Sequence, residues 1–122
     1  MKFSCDKYVL QQAAASAARA AAAKSPITTL EGLLIEAGVD VRITGYDLKK
    51  AIYTTIDADI AETGNVLIAA RLFCEMLRRM PDGIVTIQAE NGTVSVQCGK
   101  AAFNLVGLSA DDYPELPTVD AE

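Results

Sequence analysis

Apolar and polar positions along the chain switch between two periods, near three and a half and two, and the switches mark out the elements. Lys2 to Asp6 predicts a short strand. Asp6 then offers a carboxylate N-cap, and Val9, Leu10, Ala13, Ala14, Ala17 and Ala21 recur at three- and four-residue steps, the stripe of an amphipathic helix. Ala13 to Ala23 is almost pure alanine, the best helix former and the smallest side chain able to pack, so this helix can lie close against a sheet. Ser25-Pro26 is expected to end it.

Strands follow. Leu30 to Glu36 is apolar and runs into a turn at Ala37-Gly38, after which Val39, Val41 and Ile43 alternate with polar residues. Gly45-Tyr46-Asp47 reads as a turn, Ala51 to Ile56 as a strand, and Gly64-Asn65 introduces another at Val66 to Ile68. The pattern then restarts. Arg71 to Met80 predicts a helix with Leu72, Phe73, Met76, Leu77 and Met80 on its apolar side, stopped by Pro81-Asp82-Gly83. Val85, Ile87 and Ala89 alternate up to Asn91-Gly92, the strongest short hairpin signal. Val94, Val96 and Cys98 alternate again, Gly99-Lys100 turns, and Ala101 to Val106 is the last strand before an extended tail at Tyr113-Pro114-Glu115-Leu116-Pro117.

Strand, helix and three strands therefore occur twice. Gly32 and Gly83 stand 51 residues apart and Gly45 and Gly99 stand 54 apart, a repeat carried by element order more than by residue identity. Two such halves predict an α+β domain with both helices on one face of an antiparallel sheet. At 122 residues the chain fits a single domain, 1–122, able to bury a core without a disulfide or metal.

Composition excludes whole classes of chemistry. The chain has no histidine, which removes Ser-His-Asp, Cys-His and His-ligated zinc mechanisms. Cys5, Cys74 and Cys98 are odd in number and widely spaced, so three reduced, wholly or partly buried thiols are expected in place of a disulfide framework or zinc site. The start lacks the basic and apolar regions of a signal peptide, no run reaches a membrane span, and a cytoplasmic protein is expected. A net charge of −5 argues at first against nucleic acid. Its distribution argues the other way. The two predicted helical segments, Tyr8 to Lys24 and Ala70 to Met80, hold Arg19, Lys24, Arg71, Arg78 and Arg79 against the single acid Glu75, a net +4 that leaves −9 for everything else. A basic helical layer on an acidic domain suits sequence-independent attraction of DNA.

Thr44-Gly45-Tyr46-Asp47-Leu48, Ala70-Arg71-Leu72-Phe73, Met80-Pro81-Asp82-Gly83, and Phe103-Asn104-Leu105 with Tyr113-Pro114-Glu115-Leu116-Pro117 occur in the order of a known family. Together with Met1-Lys2-Phe3 and Lys24-Ser25 through Leu30-Glu31-Gly32, they resemble the N-terminal domain of the bacterial DNA polymerase III beta subunit, the replicative sliding clamp. The resemblance covers essentially the whole chain. It departs from the family in the alanine content of the first helix, in Ala69 where proline is common, and in Thr28-Thr29 for the usual Pro-Ile.

The resemblance implies the first of three like domains, with residues 117–122 starting the linker to the next. It implies a homodimeric ring around double-stranded DNA, helices lining the hole and strands forming the outside, without catalysis, cofactor or metal. DNA polymerase III and the clamp loader would be met through the later domains. Lys24 and Arg71 match positions that the family associates with DNA contact, with Arg78, Arg79 and Arg19 next, and phosphate contacts without base reading are expected. The resemblance also implies a subunit joint at the last strand and second helix, with Leu72, Met76, Lys100, Phe103 and Leu105 as its candidates, although alternation alone also permits Met76, Phe103 and Leu105 to be core. Two other readings remain open at this point: an enzyme with a cysteine nucleophile, and a stand-alone α+β module that binds proteins through its edge strand. Asp111-Asp112 lacks the spacing of a calcium loop and reads as solvated.

Overall fold

A computed structural model describes residues 1–22 and 28–114. The elements are strand β1 (Lys2–Asp6), helix α1 (Lys7–Ala18), a 3-10 turn at Thr28–Glu31, then strands β2 (Gly32–Ala37), β3 (Val41–Tyr46), β4 (Ala51–Ile56), β5 (Asp59–Glu62) and β6 (Gly64–Ala69). Helix α2 (Ala70–Arg79) follows, with β7 (Ile84–Glu90), β8 (Thr93–Cys98) and β9 (Ala101–Val106) after it. The Asp6 carboxylate accepts from the amides of Tyr8 and Val9 at 2.7 and 3.3 Å, the expected cap.

The strands form two antiparallel sheets, ordered β5-β1-β7-β8-β9 and β4-β3-β2-β6. Each half of the repeat gives its first strand to the other half: β1 pairs with β7, and β6 pairs with β2. In both halves that strand runs without a loop into its helix, at Asp6 and at Ala69. The repeat is thus real at the level of elements. The glycine pair Gly45 and Gly99 is not part of it, because Gly45 lies inside β3 and Gly99 in the turn after β8.

Three expectations change. The first helix ends at Ala18, short of Lys24, through tightened turns in which the amides of Arg19, Ala20 and Ala21 reach back three residues; the Ala22 amide then bonds the Leu30 carbonyl. Ser25-Pro26 and the start of the linker lie outside the described residues. Gly45-Tyr46 is strand, and the turn begins at Asp47, whose carboxylate accepts from the amides of Lys49 and Lys50. Strand β5 has no counterpart in the sequence reading, since only Ile60 of its four residues turns toward the core.

The main core lies between the helices and the two sheets, with Phe3, Leu10, Ile35, Ile43, Phe73, Leu77, Val85 and Ile87 at its centre. Helix α1 packs on β3 and β4 and against α2. The other face of the β2-β3 sheet carries a second, smaller cluster of Leu30, Leu34, Tyr46, Leu67 and Tyr113. The chain after β9 crosses this face, bonding Leu108 to Leu67 in both directions and setting the Tyr113 ring against Tyr46, centroids 6.4 Å apart.

The Tyr113 hydroxyl is buried without a hydrogen-bond partner among the described residues, as is Thr44 Oγ1. Burial pushes the phenol up from 10.0 to about 12, with smaller contributions from Tyr46 and Tyr53. The folded state therefore holds this proton harder than the unfolded state, and its contribution to stability is complete below pH 10 and lost as pH rises toward 12. Tyr113→Phe removes an unsatisfied hydroxyl and keeps the ring, so it is expected to be neutral or stabilising by about 1 kcal/mol. Thermal melts at about pH 7 and pH 11 test both points, the variant losing less than the wild type at the higher pH.

Candidate nucleic-acid interface

Helix α1 presents Tyr8, Val9, Gln12 and Ala15 to solvent and buries Leu10, Ala13, Ala14 and Ala17. Its one charged residue, Lys7, is turned inward, where Nζ donates to Gln11 Oε1 at 2.9 Å and lies 3.7 Å from Asp82. The Lys7 amide bonds the Gly83 carbonyl at 2.8 Å, so this residue ties α1 to the loop after α2. The outward surface of α1 proper is therefore uncharged. Arg19 stands exposed just past its end, and Lys24 lies outside the described residues.

Helix α2 divides more sharply. Phe73, Met76 and Leu77 face the core, while Arg71, Leu72, Arg78 and Arg79 face out. Arg78 Nη2 forms an ion pair with Glu75 Oε1 at 3.0 Å, and Arg79 Nη2 lies 3.9 Å from the same oxygen. Arg71 and Arg19 have no ion pair among the described residues. Arg71 sits in the first turn of α2, where unpaired amides and the helix dipole already favour an anion. A cation there gains nothing from the helix. It does add to the pull on a phosphate.

Between the helices runs an open groove of about 540 Å³, lined among others by Gln11, Ala15, Ala18, Arg71, Cys74 and Arg78. Small alanines of α1 line one side, and the exposed Arg71 and Arg78 of α2 line the other. The three thiols are free, as expected, with Cys5 and Cys98 buried and Cys74 half-buried. Burial, then the Asp6 carboxylate, pushes Cys5 up to about 12; burial also raises Cys74, although Arg78 opposes it. Thiols shifted in this direction are poor nucleophiles, so neither Cys5 nor Cys74 is activated for cysteine catalysis.

The joint candidates separate into three groups. Met76 is 6 % exposed and belongs to the core, because its place on α2 points at the sheets; this corrects its placement among the interface residues. Leu72 is 58 % exposed on α2, and Lys100 is exposed in the turn between β8 and β9. Strand β9 is an edge of its sheet, with no further strand beside it among the described residues. On it Phe103 and Leu105 stand opposite the buried Val96 and Val94, so they share the core-facing side, with Leu105 half-buried and Phe103 40 % exposed. The sequence reading missed the Lys7–Asp82 tie and the grip of Glu75 on two arginines. The second was available from the i,i+3 and i,i+4 spacing.

The family described as "DNA polymerase III beta subunit, N-terminal domain" matches residues 1–117. The chain belongs to this family. It is 37 % identical to the beta sliding clamp of Micrococcus luteus, over 99 % of this chain and 39 % of that protein. It is 32 % identical to the beta sliding clamp of Bacillus subtilis, over 98 % of this chain and 34 % of that one. The crystal structure of a putative DNA polymerase III beta subunit from Eubacterium rectale superposes with a TM-score of 0.95 at 31 % identity, over all of this chain and 34 % of its own. The Bacillus subtilis DNA polymerase sliding clamp structure gives 0.94 at 32 %, over 98 % of this chain and 34 % of its own. The α+β clamp fold is shared with both. The chain spans between about a third and two-fifths of the length of these relatives. No helix of the described residues is long and apolar enough to cross a membrane, and no group of metal ligands occurs among them.

Proposed function

We propose that this chain acts as the first domain of a processivity clamp, a non-catalytic cytoplasmic ring that encircles duplex DNA and tethers the replicative polymerase. The observation that carries the reading is the helix layer: an uncharged α1 face beside an α2 whose Arg71 is exposed and without an ion pair among the described residues. A surface of this kind attracts phosphates without gripping them, which a sliding contact requires. Family membership supports it, since the matched relatives are named sliding clamps.

Lys24 and Arg71 are the first phosphate contacts in this reading, with Arg78, Arg79 and Arg19 behind them. The free β9 edge, with Phe103, Leu105 and Lys100, and Leu72 on α2 form the joint to a second subunit by strand addition. Polymerase and clamp loader bind the parts of the protein beyond this domain. The experiment is Lys24→Ala with Arg71→Ala in the full-length protein, measured against duplex DNA across a salt titration. The expected result is weaker association at low salt and a slope of log affinity on log salt flatter by about 0.9 for each lost phosphate contact, with the melting temperature unchanged. An unaltered salt profile removes the assignment.

A further inference from the structure

The basic face of α2 contains one acid, and it is placed against both cations of the helix's last turn. Glu75 Oε1 lies 3.0 Å from Arg78 Nη2 and 3.9 Å from Arg79 Nη2, an ion pair with each. Both guanidiniums are otherwise well exposed, and the carboxylate is only half-exposed between them. A helix C-terminus favours cations without help from an acid. Helix formation alone therefore does not require Glu75 at the centre of this pair.

We propose that Glu75 is a positioning residue that restrains DNA attraction: it holds Arg78 and Arg79 along the helix surface and competes with phosphate for them. This rests on the processivity-clamp reading and deepens it, by assigning the affinity limit of the helix layer to a particular carboxylate. The chemistry is competition between two oxyanions for the same donors. A phosphate approaching the layer meets Arg71 without a carboxylate beside it, but meets Arg78 and Arg79 beside the Glu75 carboxylate, which repels the phosphate and offsets part of their charge. Part of the positive charge is thus present for long-range attraction yet withheld from direct contact. For a ring that must move along its track, a phosphate contact withheld is a barrier to sliding removed. Arg71 and Arg19 are not held in this way, so the described helix layer divides into free and restrained arginines.

The test uses the full-length protein and a short duplex DNA, with fluorescence anisotropy from about 50 to 200 mM salt. Glu75→Gln keeps the size of the side chain and removes its charge. The expected result is tighter binding at low salt and a slope steeper by about 0.9 for each arginine released, so that the ratio of variant to wild-type affinity changes about threefold across that range for one arginine. Circular dichroism and the melting temperature stay near wild type, because an exposed ion pair contributes little to folding.

The same substitution in an Arg78→Ala, Arg79→Ala background isolates the route. If Glu75→Gln then has no further effect, the acid acts through these two arginines. If the gain persists without them, Glu75 contributes only its charge to the general field and the proposal is overturned. If Glu75→Gln matches wild type while Arg71→Ala weakens binding, the restraint is overturned and the clamp reading stands. If neither Arg71→Ala nor the double arginine variant changes DNA binding, the clamp reading itself fails.

Discussion

Gly45→Ala is expected to destabilise the domain by about 3 kcal/mol, a fall of about 10 °C in melting temperature for a chain of this length. Gly45 lies in β3, paired with Ile52 of β4, directly beneath the end of α1. A Cβ built there would overlap the carbonyl of Ala17, with the Ala21 amide also close, at 3.2 Å. Both obstacles are backbone, so neither can rotate away as a side chain would. The helix would have to lift from β3 and β4, opening the contact that Ala13, Ala14 and Ala17 make by being small. Gly38 is the internal control. An added Cβ there meets nothing within 4 Å, and Gly38→Ala should be neutral or stabilising by about 0.4–1 kcal/mol through the unfolded chain. Equal melting temperatures for the two variants would show that the helix is not seated on this glycine.

Gly45 also shows where sequence reasoning stops. A glycine beside tyrosine and aspartate has the composition of a turn, and positive φ is the usual reason for it. Here the reason is the approach of a helix, a long-range fact that no local window contains. The turn that follows takes its positive φ at Leu48, 77°, a residue that composition would not select. Where the cause is local, the reading held. Asp6 caps α1, β4 runs from Ala51 to Ile56, and Asn91-Gly92 turns the β7-β8 hairpin at φ 53° and 79°. The exchange of first strands between the halves was invisible for the same reason as Gly45, since pairing across the repeat leaves no mark on either strand's own pattern. Strand β5 was missed because an acidic edge strand with one inward side chain lacks the apolar alternation that announces a strand.

The candidate site was legible in part. Periodicity separated the outward arginines of α2 from Phe73 and Leu77, but it also put Leu72 on the apolar side, and that residue faces out. Charge summed by predicted segment could not tell a free cation from a held one. Arg78 and Arg79 share Glu75, while Lys7, outside the segments summed, is held by Asp82 and Gln11. Met76 shows the opposite error. Family likeness suggested a joint residue, yet its side chain turned out to be core. An α-helix with one buried stripe cannot present the same residue to both, and packing against the sheet decides which.

Leu10→Ala is expected to have an effect of similar size, about 3–4 kcal/mol, and to act on the helix layer in particular. Leu10 is fully buried and is the one large apolar anchor of α1, whose other buried positions are Lys7, Ala13, Ala14 and Ala17. Alanine favours helix but contributes little buried area, and a helix of 12 residues is marginal in water without docking. Removing the leucine leaves a cavity beneath a helix with nothing else of size to hold it down. The loss should therefore appear first in α1: faster amide exchange from Lys7 to Ala18, and quicker alkylation of Cys74, the half-buried thiol at the floor of the groove between α1 and α2. Strands β7 and β8 are expected to exchange at rates set only by the lower global stability. Val9→Ala, one position away and exposed, should change stability by less than about 0.5 kcal/mol. If exchange rises uniformly across α1 and the sheets, the helix is part of a single cooperative unit, and its docking does not depend on Leu10 more than on the rest of the core.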